Sequence, residues 1–210
     1  MKLTGESKLL LGILLATVAI VGSAVYFFSK PTPPPKPIAR EELITADSYS
    51  IGNTSASAWL VEFSDFQCPA CRAFMPVVDE LVTKYSDKLF FVYRHFPLAK
   101  HEYAKPAAMA AEAAGQQGKF WEMGKLLFEN QDKLSGSLWA SLTDELKLDR
   151  GKFDAALNSQ EIKAKIDRDE KAAIQLKLPG TPSFFLNGVR LEVASPGELK
   201  KAVEQMIINQ

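Results

Sequence analysis

The only two cysteines of the 210-residue chain lie three positions apart, in Cys68-Pro69-Ala70-Cys71. Before them, Ala58 to Phe63 (AWLVEF) is the short apolar run of a buried strand, ended by Ser64-Asp65. After them, Phe74, Val77, Val78, Leu81 and Val82 recur at helical spacing, which predicts a helix with one apolar face. Cys68 then falls at the N-cap, Pro69 at the first helical position where its missing N–H costs nothing, and Cys71 two residues further in. A sulfur at an N-cap faces unpaired backbone N–H groups and the positive end of the helix dipole. Both favour thiolate over thiol, so the pKa of Cys68 is expected below the free value of about 8.5. Cys71, one turn inward, is shielded yet close enough for a disulfide. An exposed acidic sulfur beside a resolving sulfur is what thiol-disulfide exchange needs. Two weaker readings remain. Half a zinc site lacks a second cysteine pair, and His95 and His101 have no ligand spacing to the motif. An inert disulfide would close too small a loop to restrain the unfolded chain much.

The elements that must hold the pair follow from periodicity. Leu89 to Tyr93 (LFFVY) is a second buried strand. From Leu98 to Leu178 the pattern is helical without a convincing strand, and seven of the eleven residues from Ala104 to Ala114 are alanine. Ser183 to Leu186 and Val189 to Val193 flank Asn187-Gly188, a strong hairpin signal. A last helix is expected from Ser195, with Glu198 completing a capping box. The order is that of an α/β domain with a helical block set between its strands. Pro76 is expected to kink the first helix, His95 to be a satisfied structural histidine, and His101 a surface residue.

One domain needs roughly 100 to 200 residues, so this chain has length to spare. From Leu9 to Phe28 no residue is charged, and such a helix spans the roughly 30 Å of a hydrocarbon core. We read residues 1–30 as a membrane anchor. A cleaved signal peptide ending near Gly22-Ser23-Ala24 is the competing reading, disfavoured because the apolar run continues through Phe28. Residues 31–40 hold five of the twelve prolines, a semi-rigid polyproline spacer. The chain has zero formal net charge, with 20 basic and 24 acidic side chains beyond residue 40. No broad basic field exists for a phosphate backbone, which argues against nucleic acid as a partner.

The segments Val61-Glu62-Phe63-Ser64-Asp65-Phe66-Gln67-Cys68-Pro69-Ala70-Cys71, Tyr93-Arg94-His95-Phe96-Pro97-Leu98 and Gly180-Thr181-Pro182-Ser183-Phe184-Phe185 resemble the membrane-anchored DsbA-like thioredoxin-fold oxidoreductases. The likeness covers about residues 50 to 208. It implies a thioredoxin fold in two parts, 41–97 with the cysteine pair and 179–210 with the cis-proline, hairpin and C-terminal helix, around an inserted helical domain at 98–178. By the same resemblance Cys68 is the nucleophile, Cys71 the resolving cysteine and Pro182 the cis-proline lying against them. It leaves the Thr181 backbone free to pair with an extended client, and Pro69 and Ala70 complete the client-binding surface. Glu62 is the family's buried acid that handles protons for the resolving cysteine, and burial is expected to raise its pKa. The opposing reading of Glu62 is a strand-edge residue pointing into water. No metal or bound cofactor is implied, because the Cys68-Cys71 disulfide is itself the redox group.

Ala70 departs from the strongly oxidising members, which often carry histidine between the proline and the second cysteine. A methyl group cannot stabilise the thiolate, so the disulfide is expected to be less oxidising than theirs. The resemblance implies an extracytoplasmic, single-pass oxidoreductase that introduces disulfides into cysteine-containing clients, in a compartment that permits them. Its expected redox partner is a membrane quinone oxidoreductase of the DsbB or vitamin K epoxide reductase type. A reductase or isomerase kept reduced by a membrane electron carrier, and a non-catalytic peptide-binding module, are the alternatives.

Overall fold

The computed structural model describes residues 5–29 and 36–209. Residues 31–35 of the proline spacer expected at 31–40 lie outside the described residues. Helix α1 (Gly5–Phe28) contains the apolar stretch Leu9–Phe28, 20 residues of mean hydropathy 2.4 with none of it buried. It is long and apolar enough to cross a membrane.

Beyond the spacer, the short helix α2 (Arg40–Leu43) precedes strand β1 (Tyr49–Gly52) and strand β2 (Ala58–Ser64). Helix α3 (Pro69–Lys84) then crosses to strand β3 (Leu89–His95). β2 and β3 are parallel, in register from Ala58 opposite Leu89 to Ser64 opposite His95. A parallel pair requires such a crossover. After the helical block come strand β4 (Ser183–Leu186) and strand β5 (Val189–Arg190). The sheet order is β1-β3-β2-β4-β5, with every pairing antiparallel except β2 with β3. β2 is therefore an inner strand covered on both faces, which is why its sequence is apolar almost throughout rather than alternating.

Alternate residues feed two cores. Ala58, Leu60, Phe91, Phe184 and the α3 residues Phe74, Val78 and Leu81 pack on one face. Val61, Phe63, Val92 and Phe185 pack on the other with Leu43 and Ala173. The Asn187-Gly188 turn is as expected, with positive φ at both residues (48° and 81°) and Leu186 opposite Val189. A side chain at Gly188 would also strike the Ile38 carbonyl, which approaches to 2.3 Å of an added Cβ. The last helix, here called α9 (Pro196–Ile208), is capped by Ser195, whose Oγ accepts the Glu198 N–H. Glu198 reaches back to the Ala194 N–H at 2.8 Å.

The block between β3 and β4 is helical throughout: α4 (Ala104–Gly115), α5 (Phe120–Glu129), a 3₁₀ turn at Gln131–Lys133, α6 (Gly136–Glu145), α7 (Arg150–Leu157) and α8 (Gln160–Gln175). The alanines of α4 are small enough for α5, α7 and α8 all to pack against it. The block is fastened to the sheet by a buried ion pair. Arg94 Nε donates to Asp169 Oδ1 at 2.7 Å and Arg94 Nη1 to the Leu43 carbonyl, while Asp169 Oδ2 accepts the His95 N–H. With both charges nearly sealed from water and hydrogen-bonded, removal of either partner would strand the other.

The structure adds one strand to those expected and shortens another. β1 carries no clear strand signal in sequence, because Tyr-Ser-Ile-Gly is only four residues long, ends in glycine and is half exposed at a sheet edge. The expected strand Val189 to Val193 ends at Arg190, since β5 has no neighbour on its outer side to extend the ladder.

Candidate active site

Cys68 is the N-cap of α3, in extended conformation (φ −79°, ψ 119°), with Pro69 at the helix start and Cys71 one turn in. Both cysteines are free thiols. The segment leading to Cys68 is fixed from several sides. Asp65, buried, accepts the Gln67 N–H on Oδ1 and the Leu98 N–H on Oδ2, and its own carbonyl accepts the Cys68 N–H. His101 Nδ1 lies 2.7 Å from Asp65 Oδ2. His101 is therefore not the free surface residue expected; its side chain is 17% exposed and tied to a buried carboxylate. Gln67 Oε1 accepts the Tyr103 N–H. Gln131 donates its amide hydrogens to the Phe66 carbonyl at 2.8 Å and the Cys68 carbonyl at 3.0 Å. None of these contacts was visible to sequence reasoning. Gln131 is separated from Phe66 by 65 positions in a polar stretch with no periodicity, and only the packed insertion brings them together.

The Thr181–Pro182 bond is cis. The Cys68 thiol donates to the Thr181 carbonyl at 3.3 Å, so this loop lies directly against the Cys68 sulfur. That carbonyl is therefore engaged only while Cys68 is a thiol, since the thiolate has no proton to give it. Cys68 itself is 6% exposed, more covered than the open sulfur expected, because the Thr181 loop and the Gln131-held backbone close around it. Pro69 and Ala70 are exposed beside it, and Thr181 and Pro182 are half-buried, leaving an accessible rim around a recessed sulfur.

Electrostatically the two sulfurs are opposites. The hydrogen bond from the Cys71 thiol, opposed by burial and reinforced by Thr181 and the N–H groups of Cys71 and Ala70, lowers the Cys68 pKa to about 5. Burial, the bond it gives Cys68 and the nearby Glu62 hold Cys71 well above the usual thiol range. At neutral pH one is thiolate and the other thiol.

Glu62 sits on β2, opposite Tyr93 on β3 and Phe184 on β4, and is buried at 5% exposure. It is not a strand-edge residue in water. Burial, with Asp79 and Cys68 adding negative charge nearby, pushes its pKa up to about 7. Glu62 and Tyr93 line a cavity of about 240 Å³ walled by Phe66, Phe120 and Trp121. Exposed Asp79 and Lys125 line it too, so it reaches the surface. The Tyr93 hydroxyl is buried without a protein hydrogen-bond partner among the described residues.

His95 is buried, with Nε2 2.8 Å from Glu112 Oε1, which Lys165 also engages. Its Nδ1 has no protein partner among the described residues, so the expected satisfaction holds for one nitrogen only. Pro76 lies inside α3, which runs on to Lys84. Among the described residues no group of three His, Cys, Asp or Glu side chains is placed to hold a metal ion.

A family profile described as Thioredoxin matches residues 45–205. A thioredoxin-like oxidoreductase from Silicibacter pomeroyi superposes with a TM-score of 0.69 at 29% identity, covering 80% of this chain and 97% of that one. The thiol-disulfide exchange protein α-DsbA2 of Wolbachia pipientis gives 0.71 at 17% identity, over 91% and 98%. BdbD of Bacillus subtilis gives 0.70 at 17%, over 85% and 100%. Curated relatives include the Na⁺/H⁺ antiporter NhaA 1 of Mycolicibacterium vanbaalenii, 34% identical over 188 residues. That match covers 86% of this chain but only 30% of the antiporter. The match over 45–205, with the cysteine pair capping α3 against a cis-proline, shows that the chain belongs to the thioredoxin family, in a DsbA-like fold with a helical insertion.

Proposed function

We propose that this chain is a membrane-anchored thiol-disulfide oxidoreductase that introduces disulfides into extracytoplasmic proteins. The observation that carries this reading is the geometry of the pair, with Cys68 at the N-cap of α3 against the cis Thr181–Pro182 bond and Cys71 buried one turn inside, an arrangement that favours an acidic Cys68 and a proton-holding Cys71. The exchange then balances as follows. A client thiolate attacks Cys68 Sγ of the disulfide; the new bond joins client to Cys68, and Cys71 leaves and takes a proton from the Glu62 carboxyl. A second client thiolate attacks the client sulfur of the mixed disulfide and expels Cys68 as thiolate. The client loses two electrons and the pair gains them. The low pKa of Cys68 makes it a good leaving group in that last step. A membrane quinone oxidoreductase of the DsbB or vitamin K epoxide reductase type returns the pair to the disulfide. Glu62, reaching the surface through its cavity, exchanges protons while the client covers Cys68.

The apolar helix α1 supports a tether, and the disulfide chemistry supports an extracytoplasmic domain. The redox state of the pair in growing cells, read by acid quenching and alkylation, tests the direction. A mostly oxidised pair is expected; a mostly reduced one would replace this reading with the reductase or isomerase.

A Cys68 pKa of about 5 lies between the values near 7 and 3.5 of thioredoxin and the strongest oxidases. We accordingly expect a potential between about −270 and −120 mV, measured by equilibration with glutathione. A value at or above about −120 mV would remove the role given to Ala70. The resemblance to segments of antiporter chains favours a second reading, a domain that works beside a membrane transporter.

A further inference from the structure

We propose that Gln131 is a positioning residue for Cys68: through two hydrogen bonds from the inserted helical block it holds the sulfur at the N-terminus of α3. The inference deepens the oxidoreductase reading and rests on it for its functional meaning. Gln131 is 8% exposed and sits on the 3₁₀ turn after α5, outside the thioredoxin core. Its Nε2 donates to the carbonyls of Phe66 and Cys68, residues that bracket the turn entering α3. The Cys68 carbonyl also accepts the Arg72 N–H at 3.1 Å, the first helical bond of α3. Gln131 thus grips the N-cap residue at the carbonyl that opens the helix.

The direction of Cys68 Sγ depends on that grip. Its extended backbone turns the sulfur toward the N–H groups of Ala70 and Cys71, and these with the Cys71 thiol are what stabilise a thiolate there. Without the amide, the buried Phe66 carbonyl loses the partner it has in Gln131, and the segment can relax away from the helix end. In the oxidised protein the disulfide bond itself fixes Cys68. In the dithiol protein nothing covalent does, so Gln131 matters most when Cys68 is a thiolate. The tethers Asp65–His101 and Gln67–Tyr103 fasten the preceding residues to the same block, and Asp65 holds the Cys68 N–H through its own carbonyl, whereas Gln131 binds the Cys68 carbonyl directly from the block.

The test compares the parent with Gln131→Ala and Gln131→Met, the second keeping the side chain's length while removing both donors without adding a charge. Ionisation of Cys68 is followed by thiolate absorbance, and the disulfide equilibrium by glutathione. We expect the Cys68 pKa to rise by about one in Gln131→Ala, roughly a tenfold loss of thiolate stability. At neutral pH the glutathione equilibrium should shift by a similar factor toward the disulfide, because the reduced form loses its stabilisation. The reduced protein should also lose more thermal stability than the oxidised one. A purely structural residue would weaken both forms equally and leave the Cys68 pKa in place, and that result would overturn the inference. Where a variant does not fold, the parent decides: the Gln131 side-chain amide should be protected from hydrogen exchange in the dithiol state, and rapid exchange would refute the contact. The pKa reading needs no exchange partner. A protein that ionises as expected but exchanges with no disulfide would therefore defeat the oxidoreductase reading alone.

Discussion

Replacing Cys68 by Ser removes disulfide transfer altogether, at least about a thousandfold, the order lost when a nucleophile is deleted. A serine hydroxyl is un-ionised at neutral pH and cannot form or accept a disulfide, so the pair loses both the sulfur that clients attack and its low-pKa leaving group. Cys71→Ala behaves differently. Cys68 remains, and mixed disulfides that Cys71 would have resolved accumulate on it, identifying clients and redox partner together. That variant also loses the hydrogen bond that most lowers the Cys68 pKa, so its thiolate should be scarcer at pH 7 and its trapping faster at higher pH. Insulin reduction or peptide oxidation measures the first effect, and non-reducing gels of membrane extracts the second. A Cys68→Ser protein that keeps its cellular phenotype would turn the molecule into a binding module, or into an accessory domain beside a transporter.

These outcomes rest on residues that could be found before the fold was known, and the reason is chemical. An N-cap cysteine followed by proline and an amphipathic helix is a local pattern, complete within a few residues, and α3 folds as that pattern requires. The Asn187-Gly188 hairpin and the Ser195 cap are local in the same sense. Pro182 and Glu62 needed more. Nothing in Gly-Thr-Pro-Ser requires a cis bond, and only likeness to a family marked it. Glu62 could have pointed to water until the sheet order placed β2 between β3 and β4. What escaped altogether is long-range and polar. Gln131 on the Cys68 carbonyl, His101 on Asp65 and Asp169 on Arg94 join residues tens of positions apart. Polar contacts of this kind leave no periodicity in sequence, because a single buried glutamine or histidine looks the same as a surface one.

Glu62→Gln should separate the acid's two effects, on stability and on rate. The folded carboxyl titrates at about 7 against an ordinary value of 4.5, chiefly because it is buried. Folded protein then binds the proton more tightly than unfolded chain, and stability is full below about pH 4.5 and falls as pH rises toward 7. The loss amounts to about 3 kcal/mol once the carboxylate is formed, since each tenfold difference in proton affinity between folded and unfolded chain is worth about 1.4 kcal/mol. An amide of the same shape stays neutral, so the reduced variant should match the parent near pH 4 and exceed it by a few kcal/mol at pH 8, in denaturant titrations. Activity should move the other way. At pH 7 the parent's Glu62 is close to half ionised, able both to give a proton to Cys71 and to take one back; glutamine can do neither. We expect the proton-dependent exchange steps to slow by roughly a hundredfold, the usual scale for a positioned acid-base group, with a flatter pH dependence around neutrality. The groups that face Glu62 are Cys68, Cys71 and Asp79 from the α3 side and Tyr93 from β3, with Lys125 and Glu122 of α5 across the cavity. Tyr93 is held protonated by burial and Asp79 is raised by burial, while Glu62 itself titrates at about 7. A variant that gained no stability at pH 8 would place the Glu62 proton in contact with bulk solvent, and one with unchanged rates would leave Cys71 to some other acid.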